Sequence, residues 1–215
     1  MIPNVAFRPA PVTARDRLLE AAIKLIRSKG FAATSVDQIC AEAGVTKGAF
    51  FHHFASKEAL GVAVAEHWSA STSAFFAAAP FHHHPDPAER VLGYIDLRMA
   101  LMTGPVESFS CAAGTMLQEA FLSSPAIRGA SEASIMGNAR ALRADIGAAL
   151  VRAGQREITA ASLARHIQAV IQGSFILAKA SEGHSGAGAA ISRESLAHLH
   201  RYCEMLFALP AAATH

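Results

Sequence analysis

The chain has 215 residues, 52% of them apolar, and a formal net charge of only +2. That length carries one large domain or two small ones with a real hydrophobic core. So weak a charge excludes a polycation that coats nucleic acid along its whole surface and leaves room only for a small, focused contact. The bias is local, since the first 60 residues hold eight Lys and Arg against five Asp and Glu. Ala-rich composition, few β-branched runs and no sustained alternation of apolar and polar residues predict an all-α protein.

Residues 1–12 read as a flexible arm. Thr13, with Asp16 three residues on, predicts a capping box that opens a helix to Lys29, its buried stripe formed by Leu18, Ala22, Leu25 and Ile26. Gly30 ends it. Ser35 caps a second helix through Ala43, with Val36, Ile39, Cys40 and Ala43 on one face. Gly44 supplies a left-handed residue that stops this helix without steric cost. Val45 plugs the turn, and Thr46 caps a third helix from Lys47 to His53. Two short helices joined by a Gly-centred turn are a helix-turn-helix, whose second helix enters a DNA major groove.

Small residues at Gly48 and Ala49 permit close backbone approach, while Thr46, Lys47, His52 and His53 offer donors to phosphates and base edges. Thr34 and Ser35 add hydroxyls at a helix N-terminus, and Lys57 adds a point charge for phosphate. Phe50 and Phe54 read as core. His53 has a second reading, as a packing residue inside the head.

The same stretch, GVTKGAFFHHFASKEAL, resembles the recognition helix and following segment of the tetracycline-repressor family of bacterial transcription regulators. The likeness runs from about Thr13 to Trp68 and rests on Gly44, Val45, Thr46, Gly48, His53, Phe54, Ser56, Lys57 and Leu60. Phe50 stands where the family usually has Leu, and Phe51 where it usually has Tyr, so the tyrosine hydroxyl that meets a phosphate is missing. The resemblance implies that Lys47, Gly48, Ala49, Phe51, His53 and Lys57 face DNA. It also implies about nine helices, with an N-terminal head at 13–55 and a ligand-binding and dimerisation domain at 56–215.

Beyond the head, Ser56 caps a long helix to Ala78. The proline-rich PFHHHPDP, Pro80 to Pro87, reads as a loop whose three consecutive histidines cannot converge on one metal ion. Asp86 caps a helix to Met102 with Pro87 at its first position. A short helix spans Cys111 to Leu122, and a longer one opens at Ser124-Pro125 and reaches Ala153. Gly154 ends that, and Thr159 opens another to Ala180. EGHSGAGAA is a loop, and Ile191 to Leu209 forms the last helix. No apolar run approaches the roughly eighteen residues of a membrane span, and no secretory signal opens the chain, so the cytoplasm is the expected address and no membrane partner is expected.

Soft and aromatic residues recur between Trp68 and Phe175: Trp68, Phe75, Phe76, Met99, Met102, Phe109, Met116, Phe121, Met136 and Phe175. By resemblance this region encloses an effector pocket, for which the expected lining is Trp68, Phe75, Met99, Met102, Phe109, Cys111, Met116 and Phe175, suited to an apolar small molecule. Cys40, Cys111 and Cys203 form no Cys-x-x-Cys pair, the pattern of a reducing compartment. SCAAGTMLQEAF resembles a motif of one branch of the family, some members of which use the cysteine to sense electrophiles or oxidants. Cys111 thus has two readings, an inert buried thiol and a sensor at a helix start.

One head buries too little DNA for useful specificity, so a homodimer on a palindromic operator is expected. Two stripes suit its interface: Ile167, Val170, Ile171, Ser174 and Ala178, then Leu196, Leu199, Cys203 and Leu206. No nucleophile motif, phosphate loop or metal set calls for an enzyme, and no cofactor is expected.

Overall fold

The computed structural model describes residues 13–181 and 187–207, which form ten α-helices and two 3-10 turns with no strand among them. The arm expected at 1–12, the first residues of the EGHSGAGAA loop and the chain after Phe207 lie outside the described residues. The chain divides into two compact units. One holds the described residues up to Phe75 together with Ala112–Ser134; the other holds Phe76–Cys111 and the described residues from Ile135.

In the first unit, α1 is Ala14–Lys29, and the capping box is present: the Thr13 hydroxyl accepts the Asp16 N–H at 3.1 Å while the Asp16 carboxylate accepts the Thr13 N–H at 3.2 Å. The hydroxyl's own hydrogen bond to that carboxylate holds the Asp16 pKa below its usual value. Helix α2, Val36–Ala43, begins with a second capping box, Ser35 with Gln38. It ends at Gly44, whose φ of 62° is left-handed, and the Val45 N–H returns to the Cys40 carbonyl at 3.0 Å. Helix α3 is Lys47–His53, with the Thr46 hydroxyl accepting the Ala49 N–H at 3.1 Å. Helix α4 is Lys57–Ala77, and Ser56 caps it through Ala59.

The core of this unit gathers Leu18, Leu19, Ala22 and Ile26 of α1 with Ile39, Phe50, Leu60 and Val64. It extends past the expected 13–55 head because Met116 and Ala120 of α6 (Ala112–Ala120) and Ile127 of α7 (Pro125–Ala141) are buried in the same cluster. Three short helices leave one flank of α1 uncovered, and α6 closes it. Gly61 belongs to this closure: a Cβ there would stand 2.8 Å from Ile127 Cδ1 and 2.9 Å from Phe31 Cε2. Ser124, which donates to the Glu58 carboxylate, also accepts the Ile127 N–H at 3.2 Å.

The second unit contains α5 (Pro87–Leu101), α8 (Arg143–Arg152), α9 (Ala160–Ala180) and α10 (Ala187–Phe207). Asp86 caps α5 as expected. Arg90 of α5 donates from Nε and Nη2 to one oxygen of Asp145 on α8 at 2.9 and 2.7 Å, which raises the arginine's pKa further. Helices α9 and α10 approach closely where Ser192 donates to the Ser174 carbonyl at 3.1 Å, with Gly188 and Ala189 also buried.

Four expectations need correction. Pro80–His83 is a 3-10 turn, not plain loop, since proline at its first position has no N–H to lose. A second such turn, Val106–Ser108, follows Gly104-Pro105, which the sequence marked only as a break. The helix expected from Pro125 to Ala153 is broken at Leu142, where a turn separates α7 from α8. The last helix starts at Ala187, so the small residues Ala187 to Ala190 of the supposed loop are helical and let α10 pack tightly.

Candidate nucleic-acid interface

Helix α3 is held from inside and open outside. Phe50 is fully buried, packs edge-on against Phe51 at 5.2 Å and tilts against Phe54 at 5.8 Å. Around it Thr46, Lys47, Gly48, Phe51 and His52 are exposed, Phe51 by 52%. Gly48 is the informative member of this set. Its φ is not positive, and a Cβ there would meet only the Thr46 hydroxyl at 3.8 Å. Nothing inside the fold requires glycine in this helix, where it costs about 1 kcal/mol relative to alanine. The exposed backbone at Gly48 leaves room for close approach from outside.

Lys47 reaches back to Asp37 on α2 at 2.9 Å, and that hydrogen bond raises its pKa. Both side chains are exposed, so the pair is weak and open to exchange for phosphate. His52 and His53 stack edge-on at 4.9 Å, and His53 is half-buried with its ring 6.5 Å from Phe54. Lys57 is half-buried; it donates to the Ala32 carbonyl at 3.2 Å and lies 4.5 Å from the centre of the Phe31 ring. Burial lowers its pKa. Ser35 is exposed, though its hydroxyl accepts the Gln38 N–H. Thr34 is different: it is buried, and its hydroxyl donates to the Gly30 carbonyl at 2.6 Å. Its role is to close the α1–α2 turn, because a hydroxyl four residues after a free carbonyl finds it before any outside partner.

The residues expected to line a pocket fall in both units. In the first, Met116 is fully buried in the head core and Trp68 packs against that core with the Arg27 guanidinium 4.9 Å from its ring. In the second, Phe109 and Phe175 tilt against each other at 6.1 Å, Met102 is buried with its carbonyl accepting from Arg193 at 2.6 Å, and Met99 is half-buried. Phe75 is half-buried, Phe121 is 48% exposed, and Cys111 is buried immediately before α6. His82 places a ring nitrogen 3.0 Å from the Phe76 carbonyl.

Of the two stripes expected at a dimer interface, Ile167, Ile171, Ser174, Ala178, Leu196, Leu199 and Cys203 are buried within the chain itself. Periodicity alone could not separate helix-on-helix packing inside one chain from packing between chains. Val170 and Leu206 are half-buried. Beside half-buried Val170 and Gly173 lies the exposed stripe, which the sequence reading did not name: Ile176 and Leu177 on α9, with Tyr202 and Met205 on α10. His166 and Tyr202 touch ring to ring at 5.6 Å, so the two helices present one continuous face. Gly173 has nothing within 4 Å of where a Cβ would stand.

Residues 18–64 match the family model described as bacterial regulatory proteins, tetR family. An uncharacterized HTH-type transcriptional regulator, YerO of Bacillus subtilis, is 44% identical over 54 residues, which are 25% of this chain and 19% of that protein. The HTH-type transcriptional repressor KstR2 of Mycolicibacterium smegmatis is 38% identical over 60 residues, 28% of each. The matched stretch thus spans less than a third of these relatives. Among solved structures, the reduced form of Escherichia coli NemR superposes with a TM-score of 0.77 over 93% of this chain and 99% of that one, at 22% identity. At that identity the likeness speaks for the fold. No helix among the described residues is long and apolar enough to cross a membrane.

Proposed function

We propose that this chain is a member of the tetR family of bacterial regulatory proteins, whose model its residues 18–64 match, and that it is a homodimeric, non-enzymatic repressor that binds a palindromic operator in double-stranded DNA and releases it when a small molecule fills the C-terminal domain. The observation that carries the reading is α3 itself, anchored by buried Phe50 and presenting Lys47, open Gly48, Phe51 and His52 outward. Lys47 and Lys57 supply charge for phosphates, and the exposed N-terminus of α3 supplies donors to base edges. Homodimerisation joins two such heads, and the face around Gly173, Ile176, Leu177, Tyr202 and Met205 is the surface a second copy covers. An effector acts by binding one of two states better than the other, which sets the coupling between the sites. The cytoplasm, where operator and effector meet, is the proposed location.

The test is anisotropy titration of full-length protein on DNA from upstream of its own gene, against a scrambled duplex, across a range of salt. Specific binding that weakens steeply with salt supports the reading. Equal, feeble affinity for both duplexes ends it.

A second reading places an oxidant or electrophile sensor at Cys111, the buried residue immediately before α6, and draws on the likeness to NemR, whose solved form is described as reduced. Alkylation that weakens operator binding in the wild type but not in Cys111→Ser selects it. Sensitivity retained in the variant removes it.

A further inference from the structure

Two residues of α5 and one of α9 make a polar cluster that the second unit's packing does not use up. Tyr94 and Arg98 stand one turn apart on α5. The Tyr94 hydroxyl oxygen accepts from Arg98 Nε at 3.0 Å and Nη2 at 2.8 Å, and lies 3.1 Å from Nε2 of Gln168 on α9. Arg98 stacks 4.1 Å from the centre of the Phe76 ring and 5.2 Å from that of Tyr94, and Phe81 meets Tyr94 edge-on at 6.0 Å. Unlike Arg90, which is matched by Asp145, Arg98 pairs with no carboxylate among the described residues.

Gln168 is only 3% exposed, and its Oε1 is buried without a hydrogen-bond partner. Counting protons sharpens this. A phenol oxygen has two lone pairs and one proton. The two guanidinium N–H groups occupy both lone pairs, so the proton needs an acceptor, which the Gln168 amide oxygen supplies if the amide turns over within the same volume. The buried amide atom left unmatched is then the NH2. The Gln168 amide and the Arg98 N–H groups not spent on Tyr94 offer donors and a positive charge beside aromatic rings, with no acceptor for them among the described residues.

From this we infer that Arg98 and Gln168, oriented by Tyr94, form a carboxylate-binding subsite, and that the effector is a monocarboxylate with an apolar body. The planar fork of a guanidinium matches a carboxylate. One arginine among Phe76, Phe81 and Tyr94 matches a single negative charge, whereas a phosphate dianion would be left half-compensated in apolar surroundings. The inference rests on the effector reading above, which on its sequence alone expected a purely apolar guest.

The test is calorimetry at neutral pH with full-length protein, using straight-chain carboxylates from butanoate to decanoate, 4-phenylbutanoate, and the primary amide of each. The expected result is that at least one acid binds about tenfold or more tighter than its amide, and that Arg98→Met and Gln168→Leu each abolish the difference. Acids that fail to bind, or acids and amides that bind alike, overturn the subsite, and this wild-type comparison decides even if a variant does not fold. Operator anisotropy with the same probes separates the two claims. Preferred acid binding that leaves operator affinity unchanged keeps the subsite and ends the effector reading. Release by amide and acid alike keeps the effector reading and ends the subsite.

Discussion

The Glu119 carboxylate accepts the backbone N–H of Ala32 at 2.6 Å, a bond that spans 87 positions of sequence and ties the end of α6 to the turn before α2. The same turn contains Gly30, with φ at 94° and ψ at 161°, and any Cβ there would collide with the Glu119 side chain. A strained-for-others backbone and a distant carboxylate thus fix one turn, and that turn positions the Ser35 cap of α2.

Gly30→Ala is expected to destabilise the protein by about 1–3 kcal/mol, since only glycine enters that backbone region cheaply. Glu119→Ala should cost about 1 kcal/mol through the lost hydrogen bond. Because the alanine at 30 also displaces Glu119, the double variant should lose less than the sum. Strict additivity in thermal or urea unfolding would show that the two residues act independently.

Lys47 and Asp37 form an exposed pair beside the open face of α3. Lys47→Ala should weaken operator binding and flatten the slope of log affinity against log salt by about 1, as one phosphate contact is lost. Asp37→Asn should tighten binding by removing both a competitor for Lys47 and a charge that repels phosphate. An unchanged salt slope for Lys47→Ala would place that lysine off the DNA.

Phe51 is exposed by 52%, its ring nearly perpendicular to that of Phe50 with 5.2 Å between centres. Phe51→Tyr should leave stability unchanged and raise operator affinity several-fold, the worth of a hydrogen bond of about 1 kcal/mol to phosphate. Weaker binding in anisotropy would show that the ring does not approach the backbone.

Neighbouring positions on α9 should behave oppositely. Leu177, 53% exposed, replaced by Arg should yield a folded monomer with poor operator affinity. Ile171, fully buried, replaced by Ala should cost about 2–5 kcal/mol of stability. Sedimentation and melting curves separate the two effects; a dimeric Leu177→Arg would move the interface elsewhere.

Cys203 is fully buried, and burial pushes its thiol from 9.0 to about 12. The folded chain therefore keeps a proton that the unfolded chain gives up near pH 9. The stabilising contribution is complete below pH 9 and is lost as pH rises from there to about 12, by up to about 1.4 kcal/mol per unit. Cys203→Ala should melt lower at pH 7 yet show a shallower decline above pH 9. Equal slopes in both proteins would mean the thiol contributes nothing to it.

Sequence alone determined the helical class and most helix starts, because caps, glycine stops and proline breaks are chemistry between residues a few positions apart. Thr13 with Asp16, Ser35, Gly44, Thr46, Ser56 and Asp86 each act where their spacing places them. Tertiary structure decided which of two apolar stripes on α9 and α10 is spent inside the chain, that Thr34 turns inward, that Glu119 clasps Ala32, and that Gln168 is buried with an amide atom unmatched. Those outcomes depend on contacts between residues far apart in sequence, and a periodicity of 3.6 states only that a face is apolar, not what will cover it.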